Sequence, residues 1–268
     1  MSQGERAEPS GTAATYERDG HVATITYHRP EAANTVNGAM RRDLNAAWER
    51  FMADEEAWVA ILTGAGDRHF CGGADLRDPD GSTGDFAGTF WEVPTVNSFE
   101  SGLEVFKPTI AAVNGVCLGY GLTAVVSCDF VVASDRATFS WPEVTIGIPT
   151  IVGAIRLPRK VAWADAMELL LTGEAIDAQR ALDIGLAWRV VPHDDLMAEA
   201  RALADRLCRA APLAARATKE VAVRTRDMGW TEAVRFGETM RRVAGTTDDA
   251  AEGRTAWREK RSPEWEGR

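Results

Sequence analysis

The sequence predicts an α/β fold with covered sheets, followed by a helical C-terminal part. Short, continuously apolar runs recur through the first half of the chain, and a turn or a helical pattern follows each of them. Strands that are buried on both faces of a sheet have this appearance. From Val161 onward the pattern is mostly helical. No internal repeat and no clear linker divides the chain, so one domain with a helical end is the simplest interpretation.

The first predicted elements are a hairpin, a capped helix and a buried strand. Residues 16–27 alternate in polarity around the turn pair at residues 19–20, which predicts two antiparallel strands. Asn37 is a typical N-cap, and apolar residues at helical spacing predict a helix that runs to about Ala53. The apolar run at residues 58–63 predicts a buried strand that ends at a glycine-rich turn.

The middle of the chain combines a long loop with further buried elements. Residues 77–96 are rich in Gly, Pro and Asp, which predicts a loop, and such long loops in compact domains are usually functional or mobile. The remaining predicted elements are a helix at 97–106, strands at 109–113, 130–133 and 187–191, a buried helix at 118–128, and further helices at 163–171, 178–184, 195–210, 213–226 and 231–244.

The charge balance argues against a nucleic-acid partner. The formal net charge is -10, whereas a nucleic-acid groove needs a basic field that neutralises phosphates. No window of eighteen uninterrupted apolar residues is present, so we expect no membrane-spanning helix. The N-terminus lacks the apolar region of a secretory signal, and we expect a cytoplasmic protein.

Cysteine and histidine usage gives no sign of a disulfide framework or a metal site. The chain has four cysteines and four histidines. The cysteines are widely spaced and form no CxxC pair, which favours a reducing compartment. The histidines are dispersed and show no metal-ligand spacing. We therefore expect neither a metal nor a redox cofactor.

Two glycine-rich turns, at residues 69–76 and 114–121, are the main chemical signal. Each follows a buried strand, and the second opens directly into the buried apolar helix. Glycine lets a ligand approach the backbone closely, and the free N–H groups at a helix start carry partial positive charge. The two turns together suggest two backbone donors that converge on one carbonyl oxygen, as in an oxyanion hole. The alternative is that both are only tight turns between core elements.

Other glycine-turn and nucleophile sites match the sequence less well. A dinucleotide-binding loop is a poor match, because residues 119–121 lack the third glycine and no clear acidic ribose partner follows. Ser140 lacks the G-x-S-x-G setting of a serine hydrolase nucleophile. His69 lies beside the first turn, but a structural or exposed histidine is the favoured interpretation.

Several motifs in one order resemble the crotonase (enoyl-CoA hydratase/isomerase) superfamily. The resemblance covers about residues 15–268, in that family's order and spacing. The motifs that carry it are Phe70-Cys71-Gly72-Gly73-Ala74-Asp75-Leu76, residues 113–129, Trp141-Pro142-Glu143-Val144-Thr145-Ile146-Gly147-Ile148-Pro149, residues 167–173, Glu252-Gly253-Arg254 and residues 259–265. Such a series is far more specific than any one glycine cluster.

The resemblance implies a fold, a substrate and an assembly. The fold would be a crotonase-type spiral of strand-strand-helix units with a helical C-terminal trimerisation region. Residues 1–13 would be a disordered tail, residues 14–200 the α/β spiral core with the acyl-CoA site, and residues 201–268 the helical C-terminal region. The substrate would be an acyl-CoA thioester, with CoA as part of the substrate and no separate cofactor. The assembly would be a homo-oligomer, a trimer or a dimer of trimers.

The resemblance also assigns roles to individual residues. The backbone N–H groups of Ala74 and Tyr120 would form the oxyanion hole, and Glu143 would act as acid and base next to the thioester carbonyl. For Glu143 the alternative is an ordinary surface or capping glutamate. The residues that would bind substrate are Gly73, Asp75, Leu76 and Thr123, with Arg29 and Lys260 at the CoA phosphates or, alternatively, simply solvated.

Thr123 is the main departure from the family pattern. The family's hydratases carry a second glutamate at this position, and a threonine hydroxyl can orient water but is not a base near neutral pH. The two-glutamate hydratase mechanism is therefore weakened, while isomerisation, hydrolysis, decarboxylation and non-catalytic acyl-CoA binding stay open. The long loop and the following helix offer one source of a substitute carboxylate, namely Asp85, Glu92, Glu100 or Glu104, for which a solvated surface position is the favoured alternative. The aromatic residues of the same stretch are either one wall of an acyl pocket or plain packing; they are Phe86, Phe90, Trp91 and Phe99.

Overall fold

A computed structural model of the chain describes residues 12–78, 98–99 and 103–268. The described strands are β1 (Ala14–Asp19), β2 (Val22–Tyr27), β3 (Val59–Gly64), β4 (His69–Cys71), β5 (Thr109–Val113), β6 (Val116–Leu118), β7 (Phe130–Ser134), β8 (Thr138–Ser140), β9 (Ile176–Asp177) and β10 (Arg189–Val191). The described α-helices are α1 (Gly38–Ala53), α2 (Tyr120–Ser127), α3 (Val152–Arg156), α4 (Trp163–Thr172), α5 (Ala178–Asp183), α6 (Leu196–Leu207), α7 (Pro212–Arg224), α8 (Trp230–Ala244) and α9 (Asp248–Glu259).

The strands form two sheets. The larger sheet has the order β1-β2-β3-β5-β7-β10, and the smaller one has the order β4-β6-β8-β9. In the larger sheet only the β1–β2 hairpin is antiparallel, whereas β2, β3, β5, β7 and β10 run parallel to one another. Strands β3, β5 and β7 are each followed along the chain by a short parallel strand of the smaller sheet. This arrangement confirms the predicted α/β fold of strand-strand-helix units.

The N-terminal predictions agree with the structure in detail. The hairpin pairs Asp19 with Val22 next to its turn. Asn37 caps α1 by accepting a hydrogen bond from the N–H of Met40 at 2.9 Å. The face of α1 expected to be apolar is the buried one; its members are Met40, Leu44, Ala47, Trp48 and Phe51.

Sequence reasoning missed the smaller sheet. It interpreted residues 69–71 and 116–118 as parts of turns, but they form β4 and β6, with Cys71 paired to Cys117. A three-residue strand is too short to show a two-residue period, so only its pairing partners identify it. Helices α3 and α9 were also not predicted.

The segment around residue 100 was predicted incorrectly where it can be checked. Residues 103–106 were expected to end a helix, but they have no regular secondary structure. The predicted loop at 77–96 is described only as far as residue 78. Six candidates lie outside the described residues, namely Asp85, Phe86, Phe90, Trp91, Glu92 and Glu100.

The expected division of the chain, with a core over residues 14–200, stays a prediction, and the described residues near both boundaries contact the core. Residues 1–11 of the expected tail lie outside the described residues, while Ala13 is buried and its N–H donates to the Asp43 carboxylate at 2.7 Å. The division expected between residues 200 and 201 falls inside α6, whose buried side chains pack with Ile61 and Ile110 of the larger sheet. Within the described part of the chain, no helix has both the length and the apolarity to cross a membrane.

Candidate active site

The carboxyl ends of β4, β6 and β8 meet at one edge of the smaller sheet. These three strands are parallel neighbours, so the segments that follow them emerge side by side. The segments are residues 72–76, 119–121 and 141–143, and they carry the three predicted catalytic positions. The topology therefore brings together parts of the chain that are about seventy residues apart in sequence.

The first segment is held by a bridge to Val36. The Val36 N–H donates to the Gly73 carbonyl at 2.9 Å, and the Asp75 N–H donates to the Val36 carbonyl at 3.0 Å. Because these flanking groups face Val36, the N–H of Ala74 between them faces away from Val36. Gly73 has φ +91, and a Cβ there would lie 3.5 Å from the Leu118 carbonyl oxygen at the end of β6. The first two segments are therefore in contact.

The second segment opens α2. Gly119 has φ +49, which disfavours any residue with a side chain, and its N–H donates to the Ser140 carbonyl at 2.9 Å. Tyr120 is the first residue of α2, at the end of the helix where N–H groups concentrate positive charge. The Tyr120 ring packs against the core, and the Arg41 guanidinium lies 5.5 Å from its centroid.

Glu143 brings a carboxylate directly against the second segment. It lies in the first turn of a 3₁₀ helix over Pro142–Ile146. A Cβ added at Gly119 would lie 2.5 Å from Glu143 Oε1, so the carboxylate fills the space that a side chain there would need. Glu143 Oε2 is buried and has no hydrogen-bond partner among the described residues. A buried acceptor without a partner is costly and is typical of functional sites.

The environment of Glu143 changes its pKa. Burial raises the pKa of Glu143 above the ordinary value of 4.5, while hydrogen bonds from its own backbone N–H and from the Thr150 hydroxyl oppose that rise. Desolvation disfavours the charged form of a carboxyl group, and this is the direction a proton-transfer group requires.

Thr123 lies one helical turn into α2 and is only 8% exposed. Its hydroxyl donates to the Gly119 carbonyl at 3.2 Å and accepts a hydrogen bond from the Trp141 indole N–H at 3.1 Å. These bonds occupy its donor and one of its lone pairs. Only one lone pair of the Thr123 hydroxyl therefore remains to orient a water molecule.

The remaining predicted substrate residues lie in different settings. The Arg29 guanidinium lies 3.2 Å from the Asp75 carboxylate and donates to the Thr35 carbonyl at 2.7 Å. This pair ties the turn after β2 to the residue that follows Ala74. Leu76 is exposed, and Lys260 is an exposed residue at the C-terminal end of α9.

Among the lower-ranked candidates, the described ones have structural contacts. The Glu104 carboxylate is exposed and lies 3.3 Å from the Arg224 guanidinium. Phe99 is buried and stacks on Trp48 with ring centroids 4.0 Å apart. His69 lies in β4, and its carbonyl accepts a hydrogen bond from the Asn34 side chain at 2.8 Å.

Sequence reasoning missed two buried asparagines and one tryptophan that support the site. The Asn34 amide donates to the carbonyls of Ala65 and His69, and the Asn114 amide donates to the carbonyls of Gly64 and Gly66. Both therefore fasten the connection between β3 and β4. Trp141 stands in a motif, but the sequence carries no signal for the polar group that its indole contacts.

A separate cavity of about 970 Å³ lies at the opposite end of α2. Its lining includes Cys128, Arg156 and Arg226 and does not include Ala74, Tyr120 or Glu143. Since α2 has 8 residues, the cavity and the candidate site are separated by about 12 Å of helix. The candidate site is therefore defined by the strand ends and not by this cavity.

Paired sheets built from strand-strand-helix units, with the candidate site at the carboxyl edge of the smaller sheet, define a protein of the crotonase superfamily. The chain matches the family described as enoyl-CoA hydratase/isomerase over residues 17–268. It belongs to that family and is an enzyme of the enoyl-CoA hydratase/isomerase type.

Individual relatives support this assignment along nearly the whole chain. The chain is 37% identical over 254 residues to (E)-benzylidenesuccinyl-CoA hydratase of Thauera aromatica, covering 94% of this chain and 98% of that protein. It is 38% identical over 263 residues to carnitinyl-CoA dehydratase of Proteus mirabilis, covering 93% of this chain and 96% of that protein. The crystal structure of enoyl-CoA hydratase from Mycobacterium tuberculosis superposes with a TM-score of 0.86 at 33% identity, covering 96% of this chain and 100% of that one.

Proposed function

We propose that the protein binds an acyl-CoA thioester and stabilises the enolate formed next to its carbonyl. In this proposal the backbone N–H groups of Ala74 and Tyr120 donate to the thioester oxygen, and the Glu143 carboxylate removes and returns a proton at the adjacent carbon. The observation that supports it is the Glu143 carboxylate, which lies against Gly119 with Oε2 buried and without a partner among the described residues.

The proposed chemistry uses charge that develops during the reaction. As the proton passes from Cα to Glu143, the C–H electron pair forms the enolate and negative charge builds on the thioester oxygen. Two fixed backbone donors stabilise that charge more than they stabilise the neutral thioester, and each such donor is worth about 3 kcal/mol in comparable sites. Burial of Glu143 keeps its pKa high enough to accept the proton and to give it back.

Position 123 decides which reactions suit the site. Addition of water to a double bond needs one group to activate water and one to protonate carbon, and here Glu143 would have to do both, because Thr123 is not a base. Moving one proton between two carbons needs only Glu143. Isomerisation of an enoyl-CoA therefore suits the site best, and hydration by a single glutamate is the second candidate because the two relatives named above are a hydratase and a dehydratase of CoA thioesters.

The proposal includes the rest of the substrate and the assembly. CoA is part of the substrate, with no separate cofactor; Gly73, Asp75 and Leu76 lie along the acyl-CoA, and Arg29 and Lys260 meet the CoA phosphates. The enzyme acts in the cytoplasm as a trimer or a dimer of trimers. Support for assembly comes from α8, which buries none of its side chains and leaves Trp230 exposed.

Hydrogen–deuterium exchange at the α-carbon tests the proposal directly. The protein is incubated in D₂O with a panel of saturated acyl-CoA thioesters, and deuterium at Cα is measured by mass spectrometry. The same protein is assayed with 2-enoyl-CoA and 3-enoyl-CoA panels by the absorbance of the conjugated thioester. We expect exchange with wild type and a loss of about 10³-fold in Glu143→Gln, with acyl-CoA affinity unchanged by calorimetry.

Three outcomes count against the proposal in different ways. A folded wild-type protein that binds acyl-CoA but shows neither exchange nor turnover is a binder and not this enzyme. Exchange that survives in Glu143→Gln removes Glu143 from the mechanism. Release of free CoA thiol without prior exchange shows hydrolysis in place of enolate chemistry.

A further inference from the structure

A buried tryptophan lies two residues before Glu143 and is hydrogen-bonded to α2. Trp141 is 0% exposed, and its indole N–H donates to the Thr123 hydroxyl at 3.1 Å. A buried indole N–H normally has a partner, but this partner belongs to the helix that begins at Tyr120. The bond therefore links the segment that carries Glu143 to the helix that opens the second turn.

This hydrogen bond is one of two ties between residues 140–141 and residues 119–123. The second is the hydrogen bond from the Gly119 N–H to the Ser140 carbonyl at 2.9 Å. One tie therefore fixes the residue before Trp141, and the other fixes the Trp141 side chain. Glu143 lies two residues after Trp141, so both ties restrict its position relative to Gly119.

The nitrogen-bearing edge of the indole is also packed closely against α3. A Cβ added at Gly153 of α3 would lie 2.8 Å from Trp141 Nε1 and 2.8 Å from Trp141 Cε2. Only a residue without a side chain fits at that position while the ring stays in place. The indole therefore contacts both α2 and α3, and these contacts restrict its movement away from Thr123.

We propose that Trp141 is a positioning residue: its hydrogen bond to Thr123 holds Glu143 against the turn at Gly119. This inference rests on the proposed function, because it needs Glu143 to be the group that moves the proton. It extends that function by assigning the placement of Glu143 to the hydrogen-bonded pair of Trp141 and Thr123.

A double-mutant cycle tests the pair. Trp141→Phe removes the N–H and keeps most of the aromatic volume, and Thr123→Val removes the hydroxyl and keeps the shape. We expect each single variant to lower kcat for α-carbon exchange about tenfold with KM nearly unchanged, because a misplaced reacting group costs rate and not binding. We expect the double variant to fall no further than either single variant, since all three lack the same bond.

Trp58→Phe is the matched control. Trp58 is also a largely buried tryptophan, 8% exposed, but it belongs to the cluster that contains Ile61 and stacks on His21 with ring centroids 3.5 Å apart. This variant should change thermal stability by a similar amount and leave kcat unaltered. A loss of kcat in Trp58→Phe equal to that in Trp141→Phe would show a general packing effect and would overturn the inference.

The outcomes separate this inference from the proposed function. If wild type shows no exchange, the proposed function fails and the inference fails with it. If wild type exchanges but both single variants keep wild-type kcat, or if their losses multiply in the double variant, the inference alone is overturned. Should Trp141→Phe not fold, Thr123→Val decides the matter: lowered kcat at constant KM supports the tie, and unchanged kcat overturns it.

Discussion

The Glu143 carboxylate occupies the space in which Gly119 would carry a side chain. A Cβ at Gly119 would lie 2.5 Å from Oε1 and 3.2 Å from Cδ of Glu143. Gly119 therefore has two separate reasons to be glycine: its φ of +49 and this close approach. The contact joins the start of α2 to the proposed acid/base group.

Gly119→Ala should displace Glu143. The added methyl cannot share the space with the carboxylate, so either the 3₁₀ turn or the start of α2 must move. We expect kcat for α-carbon exchange to fall about 10²-fold with a smaller change in acyl-CoA affinity. Steady-state kinetics combined with calorimetric binding measures both.

Gly20→Ala controls for backbone strain in that experiment. Gly20 also has a positive φ of +58, but nothing lies within 4 Å of the added Cβ. It should lose about 1 kcal/mol of stability from strain alone and keep full activity. Equal loss of activity in both variants would mean that the contact between Gly119 and Glu143 has no part in the reaction.

The rate of proton exchange should rise with pH through the pKa of Glu143. A general base acts in its ionised form, and burial raises the pKa of Glu143 above 4.5. In a plot of exchange rate against pH, we therefore expect the midpoint of the rise on the acidic side to lie above 4.5. The residual exchange rate of Glu143→Gln should not show this rise. A midpoint at or below 4.5 would contradict desolvation of this carboxyl group in the working enzyme.

Glu143→Gln should stabilise the folded protein near neutral pH. A carboxyl group whose pKa is raised by folding binds its proton more tightly in the folded state, so its contribution favours folding at low pH and is lost as pH rises through the folded-state pKa. Glutamine has no such charge to bury. Tm measured by scanning calorimetry should be higher for the variant near neutral pH, and the difference in Tm should shrink as pH falls through the raised folded-state pKa of Glu143 towards 4.5. A constant difference in Tm at every pH would point to packing and not to the charge.

The sequence predicted those elements whose residues show a period. Helix α1 repeats its apolar positions from Met40 to Phe51, and β2 alternates around a turn, so both could be predicted from neighbouring residues alone. Strands β4 and β6 have three residues each, and their existence depends on pairing between Cys71 and Cys117, which are far apart in the chain. Local sequence carries no signal of that kind.

The candidate site also has features that the sequence predicts and features that only the folded structure shows. Glycine turns and a downstream glutamate can be recognised from motif order, and the parallel strand ends bring those segments together. The bond from Trp141 to Thr123 and the contact from Glu143 to Gly119 depend on side-chain directions that only the packed structure fixes. The absence of a second carboxylate at position 123 could be predicted from the residue type. The hydrogen bonds that occupy the Thr123 hydroxyl could not be predicted from the sequence.

Asn34 should be essential for holding the first turn. Its side chain donates to the carbonyls of Ala65 and His69 and accepts from the Arg29 N–H at 2.9 Å. Asn34→Ala removes these three hydrogen bonds and, among the described residues, leaves the His69 carbonyl with only the longer side-chain bond from the Asn114 amide at 3.4 Å. We expect a cost of about 3 kcal/mol in the free energy of unfolding, measured by urea denaturation. Asn34→Gly separates the causes, because glycine accepts the φ of +54 at this position without strain. A glycine variant as stable as wild type would show that the hydrogen bonds contribute nothing.

The exposed tryptophans of the C-terminal helices should mark the contacts between copies of the chain. Trp230 at the start of α8 is 83% exposed and Trp257 on α9 is 82% exposed, which is an unfavourable state for such large apolar rings in an isolated chain. Light scattering after size-exclusion chromatography should give three or six chains for wild type. Trp230→Lys and Trp257→Lys should shift the mass towards one chain, while Thr239→Lys, at an exposed polar position of α8, should not. A wild-type protein that runs as a single chain, or tryptophan variants that assemble as wild type does, would remove these rings from the interface.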